Sequence, residues 1–156
     1  MMLMKFVALL LLAATPQSDV FKKEMSPLQT AVDTLVGTTG AQVMPGGRSR
    51  AALIEGYGII ISLEVAFEAP LGIFGTPKKP AEVRALVAQR RKDLQDKMSA
   101  FLKQRVTTTD SIGPSDSLAV VVYVLNTTPA DIPNLPTQIV MSAKKDSPQQ
   151  VVVREY

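Results

Sequence analysis

The sequence predicts an α+β domain in which a mainly antiparallel sheet of four to five strands carries one short and one long helix on one face. Three observations predict this class: a short amphipathic stretch, a strand of strict alternation followed by the longest helical stretch, and β-branched segments after it. The chain has 156 residues, of which 46% are apolar and 20% charged. This composition is typical of a single globular domain.

The first 14 residues have the composition of an export signal. Lys5 supplies a positive charge, an apolar run follows, and Ala13 and Ala14 provide the small residues that a signal peptidase requires. The run is shorter than the roughly 20 residues that span a bilayer. We therefore expect a signal peptide at 1–14, a flexible mature N-terminus at 15–25 and one domain at 26–156, located in the periplasm or secreted.

The chain contains no cysteine and no histidine. Disulfides, thiol nucleophiles, Cys/His zinc sites and imidazole-dependent triads are therefore excluded. A cysteine-free exported protein fits a bacterial envelope better than a eukaryotic secreted domain, which disulfides usually stabilise. We expect no catalytic residue, no metal site and no cofactor.

Two segments have the spacing of amphipathic helices. The first begins at Ser26, which can cap it, and Pro27 suits the first helical position. The second, at about residues 80–105, is the longest, and Pro80 opens it. Its apolar residues recur at helical spacing and predict a buried stripe.

Four segments predict strands. From Gly58 to Phe67 every second residue is a large apolar one (Ile59, Ile61, Leu63, Val65 and Phe67), and the residues between them, which include Ser62 and Glu64, point to the other face. This pattern is typical of a half-buried antiparallel strand. The sequence leaves open whether residues 51–67 form a hairpin or one bent strand. Residues 118–125 are apolar on both faces, which predicts a central strand, and two more strands flank the turn segment "DSPQ".

The triplet "GYG" at 56–58 matches no complete functional motif. A potassium-channel filter requires membrane-spanning helices, and a dinucleotide fingerprint requires a third glycine before a helix. Position 61 is Ile, and the predicted element after it is a strand. We expect the glycines to serve a turn or bulge, and Tyr57 to be an exposed candidate for partner binding.

Basic residues are concentrated between 78 and 105, where the sequence has nine lysines and arginines but only three acidic residues. This segment could attract an anionic polymer or membrane surface, or form the solvated side of a core helix. The candidate partner-binding residues here are Lys78, Lys79, Arg90 and Arg91. Phe74 joins them because it lies on a predicted loop tip beside the two lysines.

These features favour an exported, non-catalytic binding or interaction module of the bacterial envelope. The alternatives are a carboxylate-dependent hydrolase of envelope glycans, through Glu55, Glu64 or Glu68, and a peripheral binder that uses the basic helix on an anionic surface. The expected partner is an envelope protein or an anionic polymer or membrane surface. Nucleic acid is the least favoured partner, and the sequence does not indicate an oligomeric state.

Overall fold

The computed structural model describes residues 16–39, 42–43, 47–67, 79–125 and 132–156. The predicted signal peptide lies outside these residues. The described elements, in chain order, are α1 (Pro16–Gly37), β1 (Gln42–Val43), β2 (Arg50–Ile54), β3 (Gly58–Ala66), α2 (Pro80–Thr108), β4 (Ser117–Val124), β5 (Gln138–Lys144) and β6 (Ser147–Glu155).

The strands form one sheet that is five strands wide. β1 and β2 pair with successive parts of the same edge of β3, and the order then continues through β4, β5 and β6. All pairs are antiparallel except β3–β4, which are parallel because the chain returns through α2. The predicted α+β class with a mainly antiparallel sheet is confirmed, and residues 51–67 are a hairpin.

Both helices pack on one face of this sheet. Leu28, Val32 and Val36 of α1 join the same buried cluster as the stripe of α2. The sheet contributes its alternate residues, among them Ile59 and Ile61, whose side chains are fully buried. The period-two pattern of β3 therefore predicted the core face correctly.

The first helix differs from the sequence prediction at its start. It begins at Pro16 and continues through Pro27, although the sequence predicted a start at Ser26 and a flexible segment at 15–25. Proline inside a helix removes a backbone donor and costs stability, so Pro27 predicted the start of a helix and not its interior. Phe21 packs against the core, so burial of apolar surface compensates for the interruption.

Candidate functional site

The sheet face opposite the helices has no described element packed on it. We call it the open face, and its strand residues follow from the register of the sheet. One row across the five strands reads Arg50, Ser62, Val121, Val140, Arg154, and the next reads Ala52, Ile60, Ala119, Ser142, Val152. The open face thus has a small apolar centre with an arginine at each end of one row.

The three tyrosines of the chain are all exposed and belong to this side of the molecule. Tyr123 pairs with Gln138, and Tyr156 exchanges backbone hydrogen bonds with Gln138 from the other side. Partners in register point to the same face, so both rings flank Gln138 on the open face. Tyr57 lies at the opposite end, in the turn before β3, and is 38% exposed.

Four cations surround these tyrosines. Arg50 and Arg154 lie on the open-face row described above, Lys144 ends β5, and Arg48 immediately precedes β2. All four are exposed, and within the described part of the chain none forms a salt bridge or side-chain hydrogen bond. Glu64 is the one acidic residue on the described strands of this face. The charge balance therefore favours an anionic ligand.

Two depressions lie on the open face. The larger has a volume of about 450 Å³, and its described lining includes Tyr57, Lys144 and Arg154 with three serines. The smaller has a volume of about 240 Å³ and is lined by Arg48, Arg50, Glu64 and Tyr123, among others. Each depression therefore has at least one arginine, one tyrosine and one serine in its lining, and the smaller also has the carboxylate of Glu64.

The glycines of "GYG" place Tyr57. The backbone N–H of Tyr57 donates to the Ile54 carbonyl at 3.1 Å, which closes a tight turn between β2 and β3. Gly56 has φ of 74° and Gly58 has φ of 118°, both in the region that favours glycine. The Tyr57 carbonyl then accepts from the N–H of Ser117 at 2.7 Å, so this turn also holds the start of β4.

Arg90 and Arg91, predicted as partner-binding candidates, contact the protein itself. Arg90 is half-buried, and its Nη1 donates to the carbonyl of Phe67 at 2.6 Å. Arg91 Nε lies 3.6 Å from the Glu155 carboxylate. Both arginines tie α2 to the sheet and lie on its helix side, away from Tyr57. Among the described candidates, the structure thus does not bring Arg90 and Arg91 together with Tyr57.

Lys79 lies at the start of α2 and is exposed. Its backbone N–H donates to the carboxylate of Glu82, which caps the first turn of the helix. Phe74 and Lys78 lie outside the described residues.

Several other cations of α2 also have intramolecular partners. Lys97 Nζ donates to the Thr38 carbonyl at 2.9 Å, and so joins α2 to the end of α1. Lys92 pairs with Asp96, and the hydrogen bond to that carboxylate, with its negative charge, raises the pKa of Lys92. Arg84 and Arg105 are exposed and form no side-chain bond within the described residues. The cations of α2 are therefore divided between structural contacts and solvent.

The carboxylates that the hydrolase alternative requires do not meet in the described residues. Glu64 lines the smaller depression beside two arginines, and no second acid appears in its described lining. Glu55 is exposed in the turn, and Glu68 lies outside the described residues. No group of three or more acidic side chains among the described residues could hold a metal ion.

Sequence reasoning missed the open-face cluster. It identified the alternating residues of β3, which include Ser62 and Glu64, as the second face of a half-buried strand. It could not align Arg50 and Arg154 on one row, because the row depends on four strand registers. β6 gave no signal of this row, because its three consecutive valines and the adjacent Arg154 and Glu155 do not alternate.

No known protein family matches this chain, and neither the curated proteins nor the solved structures include a detectable relative. Among the described residues, neither helix is long and apolar enough to cross a membrane.

Proposed function

We propose that this protein is an exported, non-catalytic binding module of the bacterial envelope, and that its open face binds an anionic polymer. The observation that carries the proposal is a set of four exposed cations (Arg48, Arg50, Lys144 and Arg154) that have no side-chain partner among the described residues and surround a sheet face with three exposed tyrosines. An extended ligand could contact both depressions at once.

The chemistry of these side chains supports an anionic polymer as ligand. Arginine presents donors in a planar fork that matches carboxylates and phosphates. Tyrosine supplies an apolar ring with a polar tip, which suits a ligand that is partly apolar and partly wet. Arg50 and Arg154 are four strand spacings apart, or about 19 Å, so one row can contact several units of a polymer.

The sequence supports the envelope as the compartment. The export signal expected at residues 1–14 and the absence of cysteine both suit a bacterial envelope protein. Mass spectrometry of the protein purified from a bacterial host tests this part. We expect a mature N-terminus near residue 15, and an intact Met1 on protein in the cytoplasm would contradict it.

The two alternative functions have less support. A two-carboxylate hydrolase requires a pair of acids at roughly 5 to 10 Å, and Glu64 has no such described neighbour in its depression. A surface binder that uses α2 would rely on the cations of that helix, and four of them (Arg90, Arg91, Lys92 and Lys97) have intramolecular partners.

Binding calorimetry with polygalacturonate and polyphosphate, and with neutral dextran as the uncharged probe, tests the proposed ligand class. We expect binding to at least one polyanion, weakened by added salt, and no binding to dextran. Lack of binding to both polyanions, or equal binding to dextran, would contradict the proposal.

A pair of matched double variants tests the proposed surface. Arg50→Gln with Arg154→Gln removes two charges from the open face, whereas Arg84→Gln with Arg105→Gln removes two from α2. We expect the first to weaken polyanion binding about tenfold or more and the second to change it less than about twofold. The reverse ranking would favour the basic helix as the binding surface.

A further inference from the structure

The outer edge of β6 is unpaired in the described part of the chain. β6 lies at the end of the sheet, and only β5 is hydrogen-bonded to it. The opposite edge is not one continuous strand, since two separate strands, β1 and β2, pair with β3 there. A regular unpaired edge is a template for another strand, because its backbone donors and acceptors lack protein partners.

The hydrogen-bond pattern shows which backbone groups face outward. Gln138 and Tyr156 exchange two backbone hydrogen bonds, with N–O distances of 3.2 and 3.0 Å. Such pairs alternate along an antiparallel ladder, so Arg154 and Val152 also direct their N–H and carbonyl groups toward β5. The backbone groups of Val151, Val153 and Glu155 therefore point away from the sheet.

The side chains of this edge are apolar and carry little net charge. Val152 is 48% exposed on the open face, and Val153 is 41% exposed on the helix side. Arg154 and Glu155 follow, and their charges cancel. The irregular pairing of β6 is confined to its hairpin end, between the partners of Ala143 and Lys144. Residues 151–155 thus form a regular edge without the lysine or proline that often blocks such edges.

We propose that this edge binds the same edge of a second copy of the chain, as an antiparallel pair that extends the sheet across a two-fold axis. Because only residues 151, 153 and 155 offer outward backbone groups, an odd-numbered residue must face an odd-numbered residue. With the axis at Val152, Val151 faces Val153 of the second copy, and the two copies of Val152 face each other. An axis at Val153 would place Val152 opposite Arg154, which is a poorer match.

The pairing at Val152 forms four backbone hydrogen bonds. Two join Val151 to Val153 of the second copy, and two join Val153 to Val151 of the second copy. The pairing also covers part of the exposed apolar surface of Val152 and Val153 in both copies. Arg154 and Glu155 of one copy lie opposite the glutamines Gln150 and Gln149 of the other. No like charges face each other, so the edge is complementary to itself. This inference does not depend on the proposed ligand.

Sedimentation equilibrium of the full chain over a concentration series, with a proline variant, tests the pairing. Val153→Pro removes a backbone N–H that points away from β5, so no β5–β6 hydrogen bond is lost. Edge strands tolerate proline at such a position. Val153→Thr keeps the N–H and serves as its control. We expect a monomer–dimer equilibrium in the wild type and in Val153→Thr, and self-association weakened about tenfold or more in Val153→Pro. A wild type that remains monomeric, or a dimer that survives Val153→Pro, would overturn the proposal.

A cysteine variant tests the position of the axis. The chain has no cysteine, so Val152→Cys introduces a single thiol. Facing residues of a pair without hydrogen bonds lie at a Cα separation that a disulfide spans. We expect Val152→Cys to form a disulfide-linked dimer on mild oxidation much faster than Tyr123→Cys, whose thiol is exposed on the same face. Equal rates, or faster linkage of Val153→Cys, would overturn the pairing at Val152.

Should Val153→Pro lose its secondary structure, Val152→Lys decides instead. Its side chain is about half exposed, so the fold should tolerate lysine, and two lysines would face each other on the axis. We expect this variant to be folded and monomeric. A dimer as tight as that of the wild type would overturn the proposal.

Discussion

Gly58 lies against the backbone of Ser117 so closely that a Cβ on residue 58 would be 2.1 Å from the Ser117 carbonyl oxygen. Gly58 also has φ of 118°, which disfavours any L-residue with a side chain. This contact joins the turn after β2 to the first residue of β4. It explains why the triplet that begins β3 contains glycine.

Replacement of Gly58 should therefore destabilise the fold strongly. We expect Gly58→Ala to lower the free energy of unfolding by about 3 kcal/mol or more, because the new Cβ would meet backbone that cannot move alone. Urea denaturation followed by circular dichroism measures this loss. Gly56→Ala is the matched control, because Gly56 has φ of 74° with open space around it. It should cost only about 1 kcal/mol, and equal losses in the two variants would contradict the account.

Tyr57 should contribute to binding and little to stability. Its side chain is exposed at the rim of the larger depression. We expect Tyr57→Ala to change the free energy of unfolding by less than about 1 kcal/mol and to weaken polyanion binding severalfold. Thermal denaturation and calorimetry on the same preparation measure both quantities. A large loss of stability would instead show that Tyr57 is part of the core.

Arg90 should contribute to stability and not to binding. Its guanidinium donates to the Phe67 carbonyl, and so fastens α2 to the end of β3. We expect Arg90→Ala to cost about 1 to 3 kcal/mol, since the half-buried contact is lost. Polyanion binding at a temperature where the variant is folded should match that of the wild type. A stable variant with impaired binding would contradict this prediction and would show that Arg90 contributes to the binding surface.

Glu24 should stabilise the junction between α1 and the segment after α2. Its carboxylate accepts from the backbone N–H of Asp110 at 2.7 Å and of Ser111 at 3.1 Å, and from the Ser111 hydroxyl. We expect Glu24→Ala to lower the free energy of unfolding by about 1 to 3 kcal/mol. Lys23→Ala, at the exposed neighbouring position, is the control and should change it by less than about 0.5 kcal/mol. Urea denaturation of both variants measures the difference.

Local sequence patterns predicted β3 and α2 because the apolar residues of each recur at a regular spacing, and they predicted β4 from its continuous β-branched run. The alternation from Ile59 to Phe67 and the stripe of α2 determine which faces are buried before any partner is known. The extent of α1 could not be predicted in this way. Its first part is helical because Phe21 reaches the core and Glu24 caps a distant loop, and both contacts are long-range.

The candidate site was harder to predict than the fold. Tyr57 was found because glycines flank it, but the tyrosines at 123 and 156 and the arginines at 50 and 154 gave no local signal. These residues share a face only through the register of neighbouring strands. The strongest sequence signal, the basic segment 78–105, instead contains arginines that tie α2 to the sheet.

The central claim is that the open face of the sheet is the binding surface. Backbone amide chemical shifts of the isotope-labelled protein, measured during a titration with polygalacturonate, test it most directly. The account predicts that the largest shifts occur at Ser62, Val121 and Val140 and in the turn at Tyr57, with little change along α2. Largest shifts along the exposed side of α2, around Arg84 and Arg105, would contradict it.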